Sequence, residues 1–577
     1  MRRGTSGSRA LGGVLDARLI FTDRFNGTQR VTHFGGVVEW FVLVAHIPRI
    51  DAAAHPSEKV PRLYLDCGVT SEQIQLLRAD LTSAGFTVAS LTALWGDDAD
   101  AALHRGHRVP AVRALRARHE AGVAGAADTL ATLFVLGLPV PAQDAAAALP
   151  SLGVDGAAEL GLLRGPASGD DTSTVAAAVD LRPYNFVDAA GSVDWWIASD
   201  LGELALGHAL SENHVLGVGG ASLTLSSLMM PTPVTSVLDL GTGCGIQALH
   251  ASRFAERVVA TDISERALWF ASLNASLNGI TSIEFRLGSL FEPVVGELFD
   301  RIVSNPPFVI TPRAEGVPSY EYRDGGRVGD ALVAEVVAGA AAHLAPNGVA
   351  QMLGNWEYRG SHDGLDRVGE WIDAVPVALD AWVVEREVQD AALYAETWIR
   401  DGGTRAGEQF DRLSDAWLTD FADRDVTSVG FGYLTLRRPA SGVRTLRRLE
   451  RLGGAVSGGL GEHVADTLAA HDWHSALDDE ALSRARLSVA GDVTEERHYW
   501  PGDEDPAALT LRQGGGFSRV YPMGTVLAAA VGASDGELSI AAICSALAQL
   551  LELNEQEVRD EVLPSIRELV ETGYLLV

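Results

Sequence analysis

The sequence has little cysteine, almost no lysine and no long uninterrupted apolar run. Its 577 residues contain only Cys67, Cys244 and Cys544, too far apart for a C-x-x-C pair or a Cys/His zinc spacing. No structural zinc and no metal site are expected, and a reducing compartment, the cytoplasm, is expected. Lys59 is the single lysine, so arginine carries nearly all the positive charge. The formal net charge of -31 disfavours broad attachment to a nucleic-acid backbone, where each phosphate contact calls for a cation. The most apolar early stretch, residues 35–48, is interrupted by Glu39 and is shorter than the ~20 residues a membrane helix needs. The opening "MRRGTSGSRALGG" has an arginine pair with no apolar core behind it, so a secretory leader is not expected.

A chain of this length exceeds one core, and its patterning divides it into four parts. Residues 1–61 are read as an extension, disordered on this reading. From 62 to 205 the pattern is helical: "TSEQIQLLRADLTSAGF" opens with a capping-box spacing from Thr70 to Gln73, and two alternating runs around "DAAGS" form a hairpin. Residues 206–438 alternate strands with helices, the signature of an open α/β sheet, with strands "SVLDL", "RVVATD", "SIEFRLG", "RIVSN", "GVAQMLGNW", "AWVVEREV" and "SVGFGYLTLRR". A weak helix is expected after Phe291, and an insert without a regular helix around 389–425. In residues 439–577 an arginine-rich stretch including Arg444, Arg447, Arg448 and Arg451 is read as a solvated helix face, followed by two amphipathic helices and "GYLLV". Both flanks are read as winged-helix-like, mainly helical modules.

Two stretches carry chemistry. In "VLDLGTGCGIQAL", Gly241, Gly243 and Gly245 follow a strand and open a helix, where glycine lets backbone approach a ligand and free N–H groups await an acceptor. Asp262, at the end of the second strand, is placed to accept ribose hydroxyls. In "FDRIVSNPPFVITP" a strand ends on Asn305, Pro306, Pro307 and Phe308: a stiff exit with free carbonyls and a side-chain amide, suited to a site.

Taken in order, "DLGTGCG", "TDIS" and "SNPPF" resemble the motifs of class I S-adenosylmethionine-dependent N-methyltransferases. The similarity lies with the small-methyltransferase kind that includes HemK/PrmC-like release-factor glutamine and ribosomal RNA guanine N2 enzymes. That resemblance implies a Rossmann-like domain of seven strands with S-adenosylmethionine as cofactor. It implies that Asp239 supports the glycine loop, that Gly241, Thr242, Gly243 and Gly245 hold the methionine part, and that Asp262 and Ile263 hold the ribose. Ser289 stands where relatives usually place an adenine-side Asp. Asn305 and the Pro306 carbonyl would orient a planar N–H₂, with Pro307 stiffening the exit and Phe308 stacking on the substrate. A protein glutamine side chain, in a translation factor for example, is the preferred acceptor because of the acidic charge. A nucleic-acid base (guanine N2 or adenine N6) and a non-catalytic adaptor stay open as alternatives. Gly217, Gly219 and Gly220 are read as a lid, and "SYEYRDGGRVGD" as a substrate loop.

Overall fold

The computed structural model describes residues 71–164, 174–206, 210–211, 213–318, 324–454, 456 and 458–577. The extension, Thr70 of the capping box, and Tyr320, Tyr322 and Arg323 of the substrate loop lie outside the described residues.

The chain first forms short helices between Ser71 and Glu159, interrupted by one π-helical turn at Ala131–Val135, with a small antiparallel sheet of Val140–Pro141, Thr174–Ala177 and Leu163–Arg164. The hairpin follows as β1 (Asp180–Asp188) and β2 (Gly191–Ser199), paired from Asp180↔Ser199 to Asp188↔Gly191. Their apolar residues share one core with the front of the sheet: Leu77, Phe86 and Phe134 belong to the same buried cluster as Ile246, Phe270 and Leu273.

The central sheet is built from β3 (Val234–Leu240), β4 (Ala255–Asp262), β5 (Ile283–Leu287), β6 (Phe299–Ser304), β7 (Leu344–Arg359), β8 (Asp380–Asp390), β9 (Val426–Arg437) and β10 (Arg447–Arg451). Their spatial order is β10-β8-β9-β7-β6-β3-β4-β5. Strands β3 to β7 run parallel, and β9 inserts antiparallel between β7 and β8. The order reverses between β3 and β6, where an open sheet forms its ligand crevice at the carboxyl ends of the strands. Connecting helices include α1 (Ile246–Ala251), α2 (Glu265–Leu277) and α3 (Ala331–His343). Ala340, Val336 and Leu332 of α3 bury one face against Ile302, Ala350 and Met352 of the sheet.

Four expectations are corrected. The sheet has eight strands, not seven. The arginine-rich stretch is not a helix face but its eighth strand, β10, which runs parallel to β8 at the edge. Its arginines do meet local carboxylates: Arg447 pairs with Asp373, and Arg451 with Asp363 and Glu385. The insert after β8 contains two regular helices, α4 (Ala391–Asp401) and α5 (Glu408–Asp423). Tyr394, Trp398, Trp417 and Phe421 face one another there and form a satellite core under β9. After Phe291 only a three-residue 3₁₀ turn, Glu292–Val294, forms.

The C-terminal part holds α6 (Leu460–Ser475), a three-stranded antiparallel sheet of Val493–His498, Ala508–Gln513 and Val520–Met523, further helices including Ile540–Leu550, and α7 (Glu555–Glu571). The last strand, Leu575–Leu576, pairs with Ser488–Val489. Leu460, Val464 and Leu468 of α6 join Leu353 and Trp382 of the sheet in one cluster. Among the described residues no helix is long and apolar enough to cross a membrane.

Candidate active site

Strand β3 delivers the chain to its crevice end fully buried, and the next five residues turn it back into α1. Gly241, Gly243 and Gly245 have φ of 75°, 56° and 87°, a region where a Cβ is strained. A Cβ on Gly245 would also lie 2.9 Å from Ala271 of α2. That glycine therefore serves helix packing. At Gly241 and Gly243 the space is open and only φ excludes a side chain. The N–H groups of Gly241 and Thr242 both donate to the Thr261 carbonyl, at 3.0 and 2.9 Å, which fastens the loop to the end of β4.

Asp239 braces the loop from inside. Its Oδ2 accepts from the Thr242 hydroxyl at 2.5 Å and the Ala248 N–H at 3.0 Å. Burial pushes its pKa up to about 7 against those two bonds, and the neighbouring Asp262 adds to the rise. Asp262 itself opens onto the crevice; its Oδ2 accepts from the Gly243 N–H and its Oδ1 from the Ser264 N–H, both at 2.9 Å. Burial raises its pKa too, with these bonds opposing. Each carboxylate oxygen keeps a further lone pair for a hydroxyl donor.

Across the crevice the Ser304 hydroxyl donates to the Leu240 carbonyl at 2.9 Å, tying β6 to β3 where the strand order reverses. The chain then leaves the sheet through Asn305, Pro306 and Pro307. The Asn305 Oδ1 is shielded from solvent and has no hydrogen-bond partner among the described residues. Unpaired buried acceptors are costly, and a specific one in a crevice points to a donor supplied from outside. Below the exit, the Ile310 N–H donates to the Tyr394 hydroxyl oxygen, which also accepts from Asn355 Nδ2, each at 3.0 Å. The π-rich insert helix thus pins the strand exit. Beside it, a Cβ on Gly325 would stand 2.7 Å from the Pro307 carbonyl, so glycine permits that close approach. Asp324, which is buried, is held by Arg313.

These parts enclose one cavity of about 500 Å³, within the usual range for a small-molecule site. Gly241, Thr242, Gly243, Asp262, Ile263 and Ser289 line it, as do Asn305, Pro306 and Pro307. Gly217 and Gly219 of the expected lid line it as well; Gly220 begins the following helix. Asp239 and Gly245 stand behind the wall. Phe308 is the expected site residue that the fold takes elsewhere: only 4% exposed, it packs in a core cluster with Val333 and Leu353.

Sequence reasoning passed over other contributors. Asn213 and His214 line the cavity from the lid segment, and Arg327 from the far loop; polar residues beside a glycine run were the available signal. Leu290 lines it with φ of 46°, which no sequence pattern announced. Asn274 and Asn278 of α2 were also missed. Asn274 pairs with both backbone groups of Ala198 on the free edge of β2 and donates to the Cys244 carbonyl of the glycine loop at 2.8 Å. Asn278 does the same for Trp196.

The glycine turn, the acid at the second strand end, and the strand order with its inserted antiparallel strand define a class I methyltransferase fold. The family described as Methyltransferase small domain matches residues 218–368, and a domain of unknown function, DUF7059, matches residues 83–177. A release factor glutamine methyltransferase of Xylella fastidiosa is 40% identical over 130 residues, which are 21% of this chain and 47% of that protein. The chain thus spans about half the length of that relative. A putative protein N5-glutamine methyltransferase of Methanocaldococcus jannaschii is 33% identical over 135 residues, 23% of this chain and 68% of that protein. The chain belongs to the family of methyltransferases that carry this small domain. Among solved structures, a T. thermophilus 16S rRNA methyltransferase in complex with AdoMet and guanosine aligns at 19% identity, covering 42% of this chain and 60% of that chain, with a TM-score of 0.25.

Proposed function

We propose that this protein is an S-adenosylmethionine-dependent N-methyltransferase acting on the side-chain amide of a protein glutamine. The observation that carries the reading is the Asn305 Oδ1, a buried acceptor without a partner on the wall of the cavity. S-adenosylmethionine, when bound, supplies an electrophilic methyl group on a positively charged sulfur. The residues present fit that cofactor: open glycine backbone for its amino-acid end, Asp262 for its ribose, and Ser289 on the adenine side.

An amide nitrogen is a poor nucleophile because its lone pair is conjugated with the carbonyl. On this reading Asn305 Oδ1 and the Pro306 carbonyl each accept one N–H of the substrate amide, turn its lone pair toward the methyl group and stabilise the positive charge that develops. Such positioning supplies on the order of 7–11 kcal/mol, more than the roughly 3–5 kcal/mol of a general base. Proton loss then follows methyl transfer, and no histidine need be aimed at the nitrogen. Pro306 and Pro307 keep the acceptors from relaxing.

A net charge of -31 supports a protein over a nucleic-acid acceptor. The same proposal takes residues 206–438 together with the edge strand β10 as the catalytic domain, with winged-helix-like flanks at 62–205 and beyond β10 and a cytoplasmic setting. Incubation of the purified chain with tritiated methyl donor and lysate, split by protease and nuclease, tests it. Label released by protease as methylglutamine is expected; label lost to nuclease would overturn the choice of acceptor, and no incorporation would overturn the activity.

A further inference from the structure

Away from the crevice, α6 and α7 bring together a set of side chains that methyl transfer does not use. His471 and His474 are three residues apart on one face of α6, and 4% and 7% exposed. Glu571 closes α7 opposite them. One nitrogen from each histidine and one Glu571 oxygen lie within 4.8 Å of one another. His474 Nε2 is 3.2 Å from Glu571 Oε2, and His471 Nδ1 is 3.6 Å from Oε1. We propose that His471, His474 and Glu571 form a site for a divalent transition-metal ion of the zinc class, clasping the C-terminal helix to α6.

The separations suit such an ion. With bonds of about 2.0–2.1 Å, a tetrahedral zinc ion sets its ligand atoms about 3.4 Å apart; the two nitrogen–oxygen distances, each to a different Glu571 oxygen, bracket that spacing, and the three donor atoms, all within 4.8 Å, would draw together on binding. Two imidazoles and a carboxylate favour zinc over magnesium or calcium, which prefer oxygen alone.

His471 Nε2 lies 3.1 Å from the Thr445 hydroxyl and 3.3 Å from the Ser475 hydroxyl, which hold the ring as outer partners of metal-bound histidines do. Its Nδ1 faces Glu571 Oε1 at 3.6 Å, longer than a hydrogen bond, and among the described residues Nδ1 has no hydrogen-bond partner. An ion between the two atoms would bond both.

Glu571, at the end of α7, places its carboxylate between the two rings as the anionic ligand. Arg448 lies 3.5 Å from Glu571 Oε1. It has two other carboxylates, Glu450 at 3.1 Å and Glu568 at 3.3 Å, so an ion can displace it from Glu571 without stranding its charge.

The test uses the untagged full-length chain, stripped with chelator and titrated with Zn²⁺ by calorimetry at pH 7.5, followed by thermal unfolding with and without the ion. One tight equivalent and a raised Tm are expected, with Mg²⁺ inactive. His474→Gln and Glu571→Gln, near-isosteric changes, should each weaken zinc binding more than about 10-fold. Co²⁺ added to the unaltered chain gives an independent reading through the intense visible bands of a tetrahedral ion. Absence of those bands, absence of a tight equivalent, or a tight equivalent kept by both variants would overturn the site.

Discussion

Asn305→Ala separates stability from catalysis with opposite signs. A buried acceptor left unpaired costs about 1–3 kcal/mol, and the Asn305 Oδ1 is in that state. Alanine removes the oxygen and breaks no protein hydrogen bond to it. Deleting the rest of the amide leaves a small space at the edge of an existing cavity, worth about 1 kcal/mol. The net effect on the free protein is a change between zero and a gain of about 2 kcal/mol. Turnover should fall in the opposite sense, because one of two acceptors on the reacting N–H₂ is gone. Loss of one preorganised partner of developing charge typically costs about 10²–10³ in rate. Cofactor affinity should stay within a few fold, since the glycine loop and Asp262 are untouched. Thermal unfolding of the free chain, calorimetry with S-adenosylmethionine and initial rates of methyl transfer measure the three quantities. A clear drop in Tm would show that Asn305 is a structural residue, and turnover near the unaltered rate would remove it from the mechanism.

Three further outcomes are expected. Gly245→Ala places a Cβ 2.9 Å from Ala271 at φ of 87° and should lower stability by about 2–4 kcal/mol, read as a fall in the denaturant midpoint; an unchanged midpoint would mean the loop is not held against α2. Tyr394→Phe leaves the Ile310 N–H and Asn355 Nδ2 without their acceptor, at about 1–3 kcal/mol each, and should lower kcat while the affinity for S-adenosylmethionine holds; an unchanged kcat would refute the pinning of the strand exit. Burial raises the Asp239 pKa to about 7, so its folded value lies above the unfolded one and its stability contribution is lost as pH rises from about 4 toward 7. Above 7 the carboxylate favours a cationic ligand, so affinity for S-adenosylmethionine should rise from pH 6 to 8 with a proton released, and more than for S-adenosylhomocysteine, which lacks the sulfonium charge. Asp239→Asn should abolish that difference, which calorimetry in buffers of unequal ionisation enthalpy detects.

The parts of the site legible in the sequence are those whose chemistry is local. A glycine at φ of 75° or a proline pair at a strand exit records its own backbone demand in its residue type, which is why Gly241, Gly243, Pro306 and Pro307 could be placed on the cavity wall in advance. Phe308 shows the limit: an aromatic beside the motif serves equally as a stacking face or as core, and only the position of Val333 and Leu353 sends it inward. The arginine-rich stretch was misread for a similar reason. Alternating arginines fit a solvated helix or an edge strand, and the choice belongs to the open edge of β8 together with the carboxylates of Asp363, Asp373 and Glu385.

By itself, the sequence determined the alternation of strands and helices, the glycine turn, the acid after the second strand and the Asn-Pro-Pro exit. Each follows from backbone geometry and side-chain chemistry within a few residues. Tertiary structure alone decided that Asn305 Oδ1 is left without a partner among the described residues, that Tyr394 from an insert some eighty residues later holds the exit, and that His471 and His474 meet Glu571. These facts depend on which buried groups find partners, and pairing across long separations is set by the packing of whole elements, not by any local pattern.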